Sequence, residues 1–298
     1  MPVVFADFLS AKFALDGRSL NHDVRSAFLD ALRSLDPIEC LDVGAGTCAT
    51  LRRLLSNGLT VPLAVTALDR DAGLLDIGRQ AAKGWLRDVD LESRFASAEI
   101  QASDNRSTAI RFEVAQVKDH RPHRLYNVIT AHAFLDLAPL PEALRLFATW
   151  LQPGGYFYAT INYDGDTAVL PNYDDAAFEA RLLSHYNDTM EQRRVDGHAT
   201  GGAYCGRRLL ELLPDYRFVV LTDGRSDWNI TPVEGSYRDG DALCLEALLE
   251  MIHTEGQRCR FFIPHQLDRW HADRLRSLQQ RKLSSTIRHL DLLARYQP

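Results

Sequence analysis

Apolar positions in the first half of the chain alternate between two spacings. Val24, Phe28, Leu32 and Leu35 recur at helical intervals behind Asn21, a good N-cap residue, and Pro37 stops the run. Short apolar runs at 38–43, 63–68, 110–117, 126–131 and 156–162 have the length of buried strands. Between them, 47–56, 72–86 and 141–151 carry helical spacing; Gly58 follows the first as a stop, and Pro141 opens the third. Strands separated by helices predict βαβ units, a parallel sheet wound on both faces with right-handed crossovers.

The rhythm breaks after Asn162. About 50 residues pass before the next strand pattern at 217–221, far more than an ordinary connection needs. Helical patterns at 175–193 and 205–213 lie inside that stretch. We read 163–215 as an insert over the carboxyl edge of the sheet, where open α/β sheets bind ligands. Helical spacing returns at 240–256 and 265–280, and 284–296 is a candidate closing strand.

Composition narrows the class. The 298 residues are 46% hydrophobic, 25% charged and 9% aromatic, which fits one large globular domain or two small ones and excludes a disordered or fibrous chain. Thirty-four basic against 40 acidic residues leave a net charge of −6, so no nucleic-acid partner is expected. No run approaches the roughly 18 apolar residues of a membrane helix, and the first residues lack the basic start of a secretory signal. Cys40, Cys48, Cys205, Cys244 and Cys259 form no CxxC pair. We therefore expect no disulfide framework, no metal, no membrane partner and a cytoplasmic setting.

The strongest chemical signal is Leu41-Asp42-Val43-Gly44-Ala45-Gly46-Thr47, an apolar strand running through two glycines into a helix. The glycines permit a tight turn and close approach of a ligand, and the helix amides from Thr47 onward suit an anionic or carbonyl group. Gly44, Gly46 and Ala49 also satisfy a dinucleotide fingerprint. Asp42 tips the balance: a carboxylate in the turn repels a pyrophosphate and suits an ammonium, favouring a ligand with an amino acid and a nucleoside over NAD. Asp69 ends the second strand pattern, where a carboxylate accepts both ribose hydroxyls of either kind of ligand.

Four segments then occur in a familiar order and spacing: 39–51 (ECLDVGAGTCATL), 65–71 (VTALDRD), 126–137 (YNVITAHAFLDL) and 151–165 (LQPGGYFYATINYDG). Together they resemble the class I S-adenosylmethionine-dependent methyltransferases. The resemblance implies an α/β, Rossmann-like, doubly wound sheet of seven strands in the order 3-2-1-4-5-7-6, the last antiparallel, with a helical insert after strand five. It implies S-adenosylmethionine as cofactor. By position, Asp42, Gly44, Ala45 and Gly46 hold the methionine end, Asp69 the ribose, and Arg70 lies beside the adenine. Gln116 and Val117 flank the adenine ring, and Ala131 and His132 lie next to the sulfonium. Arg18, in an N-terminal helical lid segment (1–36) ahead of the methyltransferase domain (37–298), reaches the methionine carboxylate. The sequence departs from the family pattern at Gln116, where an acid is common, and at Cys48, which replaces a third glycine.

The insert is rich in tyrosine, arginine and aspartate. Tyr163, Asp164, Tyr186, Arg194 and Tyr204, with Trp228 beyond it, are candidate walls and orienting groups for a small-molecule substrate. A sulfonium methyl is already activated, so the chain must chiefly hold an oxygen or nitrogen acceptor in line and exclude water. His132 is the candidate base or positioning group. Thr130-Ala131-His132-Ala133 is not the Asn/Asp-Pro-Pro-Tyr of exocyclic base methylation, no Pro-Cys pair supports cytosine chemistry, and no carboxylate cluster suggests magnesium. Three function classes stay open: a small-molecule methyltransferase, an adenosylmethionine-binding protein that is non-catalytic or directed at a protein, and an NAD-dependent oxidoreductase.

Overall fold

The computed structural model describes residues 5–56, 61–85, 91–94, 99–102 and 108–298. Gly58 and Leu86, a helix stop and a helix end in the sequence reading, lie outside the described residues. Two helices open the chain, α1 (Phe5–Ser19) and α2 (His22–Arg33). Asn21 caps α2 by accepting the N–H groups of Asp23 and Val24 at 3.1 Å, and Val24, Phe28 and Leu32 form its buried face. Then come β1 (Ile38–Val43), α3 (Ala49–Ser56), β2 (Leu63–Asp69) and α4 (Ala72–Trp85). A hairpin of β3 (Leu91–Arg94) and β4 (Glu99–Ala102) precedes β5 (Thr108–Val114). β6 (Tyr126–His132), α5 (Leu140–Trp150) and the 20-residue β7 (Leu151–Leu170) follow.

The insert holds α6 (Ala176–Gln192), the two-residue strands β8 (Arg194–Val195) and β9 (His198–Ala199), and α7 (Cys205–Leu212). The chain closes with β10 (Phe218–Arg225), β11 (Trp228–Ile230), α8 (Asp241–Gln257), α9 (Pro264–Gln279) and β12 (Ser284–Tyr296). Among the described residues, no helix is long and apolar enough to cross a membrane.

The main sheet runs β10-β12-β7-β6-β1-β2-β5-β4-β3, with β11 paired to β12. β7, β6, β1, β2 and β5 are parallel, and β12 is antiparallel to both β7 and β10. Counting only the seven expected strands, this is the order 3-2-1-4-5-7-6 with the last one reversed. The β3–β4 hairpin and β11 are additions at the two ends of the sheet. They are only three or four residues long, too short to impose a period on the sequence.

β7 departs most from the sequence reading. It continues past Asn162 to Leu170, paired with β12 throughout, so Tyr163 and Asp164 belong to a strand and the insert begins beyond it. A break in the β7–β12 register falls near Ile161, which takes φ 55°. The buried carboxylate of Asp291 serves this irregularity. It accepts the N–H of Ile161 at 2.7 Å and, through its other oxygen, that of Asn21 at 2.9 Å.

One apolar cluster, with Phe147, Trp150 and Leu209, packs α5 and α7 on the sheet. Another, with Phe28, Leu51 and Leu75, packs α2, α3 and α4 on it. A third core lies around the extended ends of β7 and β12. It joins Leu15 of α1 to Tyr163, Phe178, Leu182, Tyr186, Trp228, Ile252 and Trp270. Within it, buried Glu179 of α6 accepts from Trp270 Nε1 at 2.8 Å and from Arg274 Nη2 at 2.6 Å, both on α9. Pairing and hydrogen bonding together make burial of these two charges tolerable.

Candidate functional site

A cavity of about 430 Å³ opens at the carboxyl edge of the parallel strands. Its walls are the turn 44–47 after β1, Asp69-Arg70-Asp71 after β2, 115–118 after β5 and 132–134 after β6. α1 contributes Phe5, Leu9, Lys12 and Asp16, and the insert contributes Arg193, Val195 and Asp196. Among the described residues, five carboxylates (Asp16, Asp69, Asp71, Glu142, Asp196) and four cations (Lys12, Arg70, Lys118, Arg193) line it. Lys12 and Asp16 pair at 2.5 Å, as do Lys118 and Asp196, the latter bridging the β5 loop to the insert.

The turn needs its glycines for two reasons. Gly44 and Gly46 take φ 66° and 51°, and a Cβ on Gly44 would lie 2.3 Å from the Phe134 ring. Cys48 also has positive φ, 65°, and is fully buried. Its sulfur sits where a Cβ on Gly78 of α4 would be 2.6 Å away, so a glycine on α4 makes room for the cysteine that replaces one in the turn. Burial pushes this thiol well above its ordinary pKa, which makes it a packing group.

Asp69 is fixed at the cavity wall. Its Oδ2 accepts the N–H of Gly46 at 2.8 Å and its Oδ1 that of Asp71 at 2.9 Å. Each oxygen retains a second lone-pair direction. Gly44, Ala45, Gly46, Asp69, Arg70, Gln116, Val117 and His132, all expected from the sequence, come together on this cavity.

Three expected cofactor residues do not. Asp42 is 1% exposed and lies beneath the turn, accepting from the Thr130 hydroxyl at 2.7 Å; burial pushes its pKa up to about 7. It is therefore neither a full charge nor a wall of the cavity. Ala131 is wholly buried inside β6, ahead of the strand end that reaches the site. Arg18 points to α8 instead, where it pairs with the buried carboxylate of Asp241.

His132 anchors a buried polar cluster. Its Nε2 lies 3.0 Å from Asp16 Oδ2 and its Nδ1 2.8 Å from the Thr160 hydroxyl. Burial pushes the ring down to about 4, so it is neutral at neutral pH. The consistent tautomer donates from Nε2 to Asp16 and accepts from Thr160 at Nδ1. Burial opposes ionisation of Asp16, but Lys12 and His132 hold its carboxyl well below the usual range. Trp228 Nε1 donates to the other Asp16 oxygen at 2.9 Å.

None of the six expected substrate residues lines the cavity. Tyr163, Tyr186 and Trp228 are members of the third core, with Tyr204 packed against it. Their apolar bodies are consumed by packing, and Tyr163 spends its hydroxyl on Asn187 at 2.8 Å. Asp164 is bound by Arg207, whose Nε donates at 2.9 Å. Arg194 is exposed and donates to the carbonyls of Glu191 and Arg193. The sequence reading missed Phe5, Leu9, Lys12 and Asp16. Their offsets of four, three and four residues were the available signal, since that spacing puts all four on one face of a helix.

No family model matches the chain, and no curated protein matches it. Solved structures do match, at low identity. A provisionally assigned methyltransferase from Bacillus halodurans C-125 aligns with TM-score 0.52 and 13% identity over 91% of this chain and 98% of that one. The YcgJ protein of Bacillus subtilis aligns with TM-score 0.52 and 12% identity over 93% and 100%. A SAM-dependent methyltransferase from Methanosarcina mazei gives 0.47 and 15% over 90% and 97%. With the strand order above, the first of these marks the chain as having the class I methyltransferase fold.

Proposed function

We propose that this chain is an S-adenosylmethionine-dependent methyltransferase acting on an oxygen or nitrogen of a small molecule. The observation that carries the reading is the seat of the cavity: it rests on the Gly44–Gly46 turn and runs to a fixed carboxylate, Asp69, at the end of β2. The donor set fits such a cofactor. Asp69 has lone pairs left for two ribose hydroxyls, and in this reading Gln116, Val117 and Arg70, which line the same cavity, take the adenine. Gly44, Ala45 and Gly46 offer backbone to the methionine end.

The charge a ligand meets comes from the cavity wall, since Asp42 is buried beneath it. Carboxylates outnumber cations there, and two of the cations are already paired. A pyrophosphate would gain little from such a wall, whereas a sulfonium or ammonium is compatible with it. When bound, the cofactor supplies a methyl group already activated for displacement. The chain's task is to place an acceptor in line with it and keep water out. α1 serves the second need by laying Phe5 and Leu9 on the cavity.

His132 acts here as a positioning group. Both ring nitrogens are engaged, so it offers no lone pair to a substrate proton; it holds the Asp16 carboxylate in place. This favours an acceptor that reaches the site unprotonated, such as a neutral amine or an anionic oxygen. The volume of about 430 Å³ lies in the range of small-ligand sites. The reading is tested by incubating the protein with methyl-labelled S-adenosylmethionine and a metabolite extract. Label transferred into a low-mass product is the expected result. Cofactor binding with label found only on protein would replace the small-molecule reading with a protein-directed one.

A further inference from the structure

Helices α8 and α9 meet away from the cavity, and none of the residues at their contact lines it. Each carries an acid three residues before a histidine: Glu250 and His253 on α8, Asp268 and His271 on α9. That spacing puts each acid and its histidine on one helix face. The two faces meet, and the pairing crosses between the helices. His253 Nε2 lies 2.9 Å from Asp268 Oδ1, and His271 Nε2 lies 3.4 Å from Glu250 Oε2. The imidazole rings stack with centroids 4.2 Å apart and planes 10° from parallel.

His271 Nε2 is buried and lacks a hydrogen-bond partner, since Glu250 lies near it without the required direction. One ligand atom from each of Glu250, His253 and His271 falls within 4.8 Å of the others. A tetrahedral ion with bonds of about 2.0–2.2 Å separates its ligand atoms by roughly 3.3–3.6 Å. The Glu250–His271 distance already has that value, so modest inward movement closes the set. Glu250 can supply part of it, because its side chain is 44% exposed, and the two imidazoles must turn out of their stack so that both nitrogens aim at one point. The arrangement is two shielded imidazoles and one adjustable carboxylate reaching to the surface.

We propose that Glu250, His253 and His271 bind a divalent transition-metal ion of the zinc class between α8 and α9, with a water in the remaining position and His253 released from Asp268. Two imidazoles with a carboxylate suit zinc better than calcium or magnesium, which take oxygen ligands. Ligation through Nε2 leaves each imidazole proton on Nδ1, so the rings bind neutral. The ion would clamp α9 to α8, the helix that Arg18 ties to α1. Its role is structural, and the proposal does not depend on methyl transfer.

The test uses the full-length protein, stripped with a chelator and dialysed. Zinc chloride alone is titrated by calorimetry, and cobalt(II) by visible absorption. One equivalent of zinc, strong cobalt bands of tetrahedral type and a higher thermal midpoint with zinc are expected. Glu250→Gln and His271→Ala should each weaken zinc binding by at least about tenfold, with folding checked by circular dichroism. Glu250 is half exposed, so its variant keeps the test valid if the histidine variant fails to fold. Absent zinc binding, or binding that Glu250→Gln leaves unchanged, overturns the site and leaves the His253–Asp268 hydrogen bond and the Glu250–His271 ion-pair contact between the helices. S-adenosylhomocysteine binding by the metal-free protein, measured alongside, keeps this outcome separate from that of the methyltransferase reading.

Discussion

Asp42 and Asp69 end neighbouring strands, and burial separates their chemistry. Asp69 faces the cavity with its oxygens aimed by two backbone N–H groups, whereas Asp42 lies under the turn with a pKa pushed up to about 7. The raised value makes Asp42 a stability group. The folded state keeps a proton that the unfolded chain releases near 3.8, so Asp42 costs stability as pH rises from 3.8 to 7 and adds no further change above that. Asp291, which burial pushes up to about 6, acts in the same direction. His132 and His289, pushed down by burial to about 4 and 3, act in the opposite sense as pH rises to 6.5. Between pH 4 and 6 the two acids and two histidines therefore oppose one another. Asp42→Asn removes one falling contribution, so the stability of the variant should climb with pH across that window while the wild type stays flatter. Urea midpoints of both proteins at pH 4.5 and 6 measure this; parallel profiles would show that Asp42 is ionised when folded. The sequence located both acids but not their burial, because a strand end alternates between exposed and enclosed positions within one or two residues.

At the scale of elements, α1 changes the account of the site most. Its stripe of Phe5, Leu9, Lys12 and Asp16 roofs the cavity, while Arg18 fixes it to α8 through Asp241, which is 1% exposed. Arg18→Ala leaves that carboxylate buried without its partner and should lower stability by about 2–3 kcal/mol, somewhat less than a fully buried pair because Arg18 is partly exposed. The double variant Arg18→Met with Asp241→Asn should recover most of the loss. In both proteins, S-adenosylhomocysteine affinity should stay within a few fold of wild type. A large affinity loss in the stable double variant would return Arg18 to the role of a carboxylate ligand. The seven main strands and most helices were legible because their apolar spacing is regular. The insert was legible as an interruption of that rhythm, but its aromatic residues were not assignable to a pocket or a core. Tyr163, Tyr186 and Trp228 look the same in sequence whether they wall a ligand site or, as here, pack against α6 and α8. The extension of β7 to Leu170 was hidden by the irregularity at Ile161, which disrupts strand periodicity where β12 supplies Asp291 to repair it.

For the whole molecule, the sheet order and the cavity at its carboxyl edge belong to one argument. The order 3-2-1-4-5-7-6 sets the ends of β1, β2, β5 and β6 around a single space, and the chain lines that space with a double-glycine turn, a held carboxylate and a nearly balanced set of charges. Balance of charge and an aimed Asp69 together favour a sulfonium nucleoside over a pyrophosphate-bearing cofactor. The fold was readable from four segments of sequence; the charge of the cavity was not, because its residues come from six separate stretches and Lys12 and Lys118 are neutralised by partners distant from the glycine turn. Calorimetry with S-adenosylhomocysteine, on the wild type and on Asp69→Ala, addresses the central claim most directly, with NAD as the competing ligand. The account predicts one equivalent bound by the wild type, affinity lowered about ten- to a hundredfold by Asp69→Ala through lost charged hydrogen bonds, and no heat with NAD. Heat with NAD, or none with S-adenosylhomocysteine from folded wild-type protein, would contradict it.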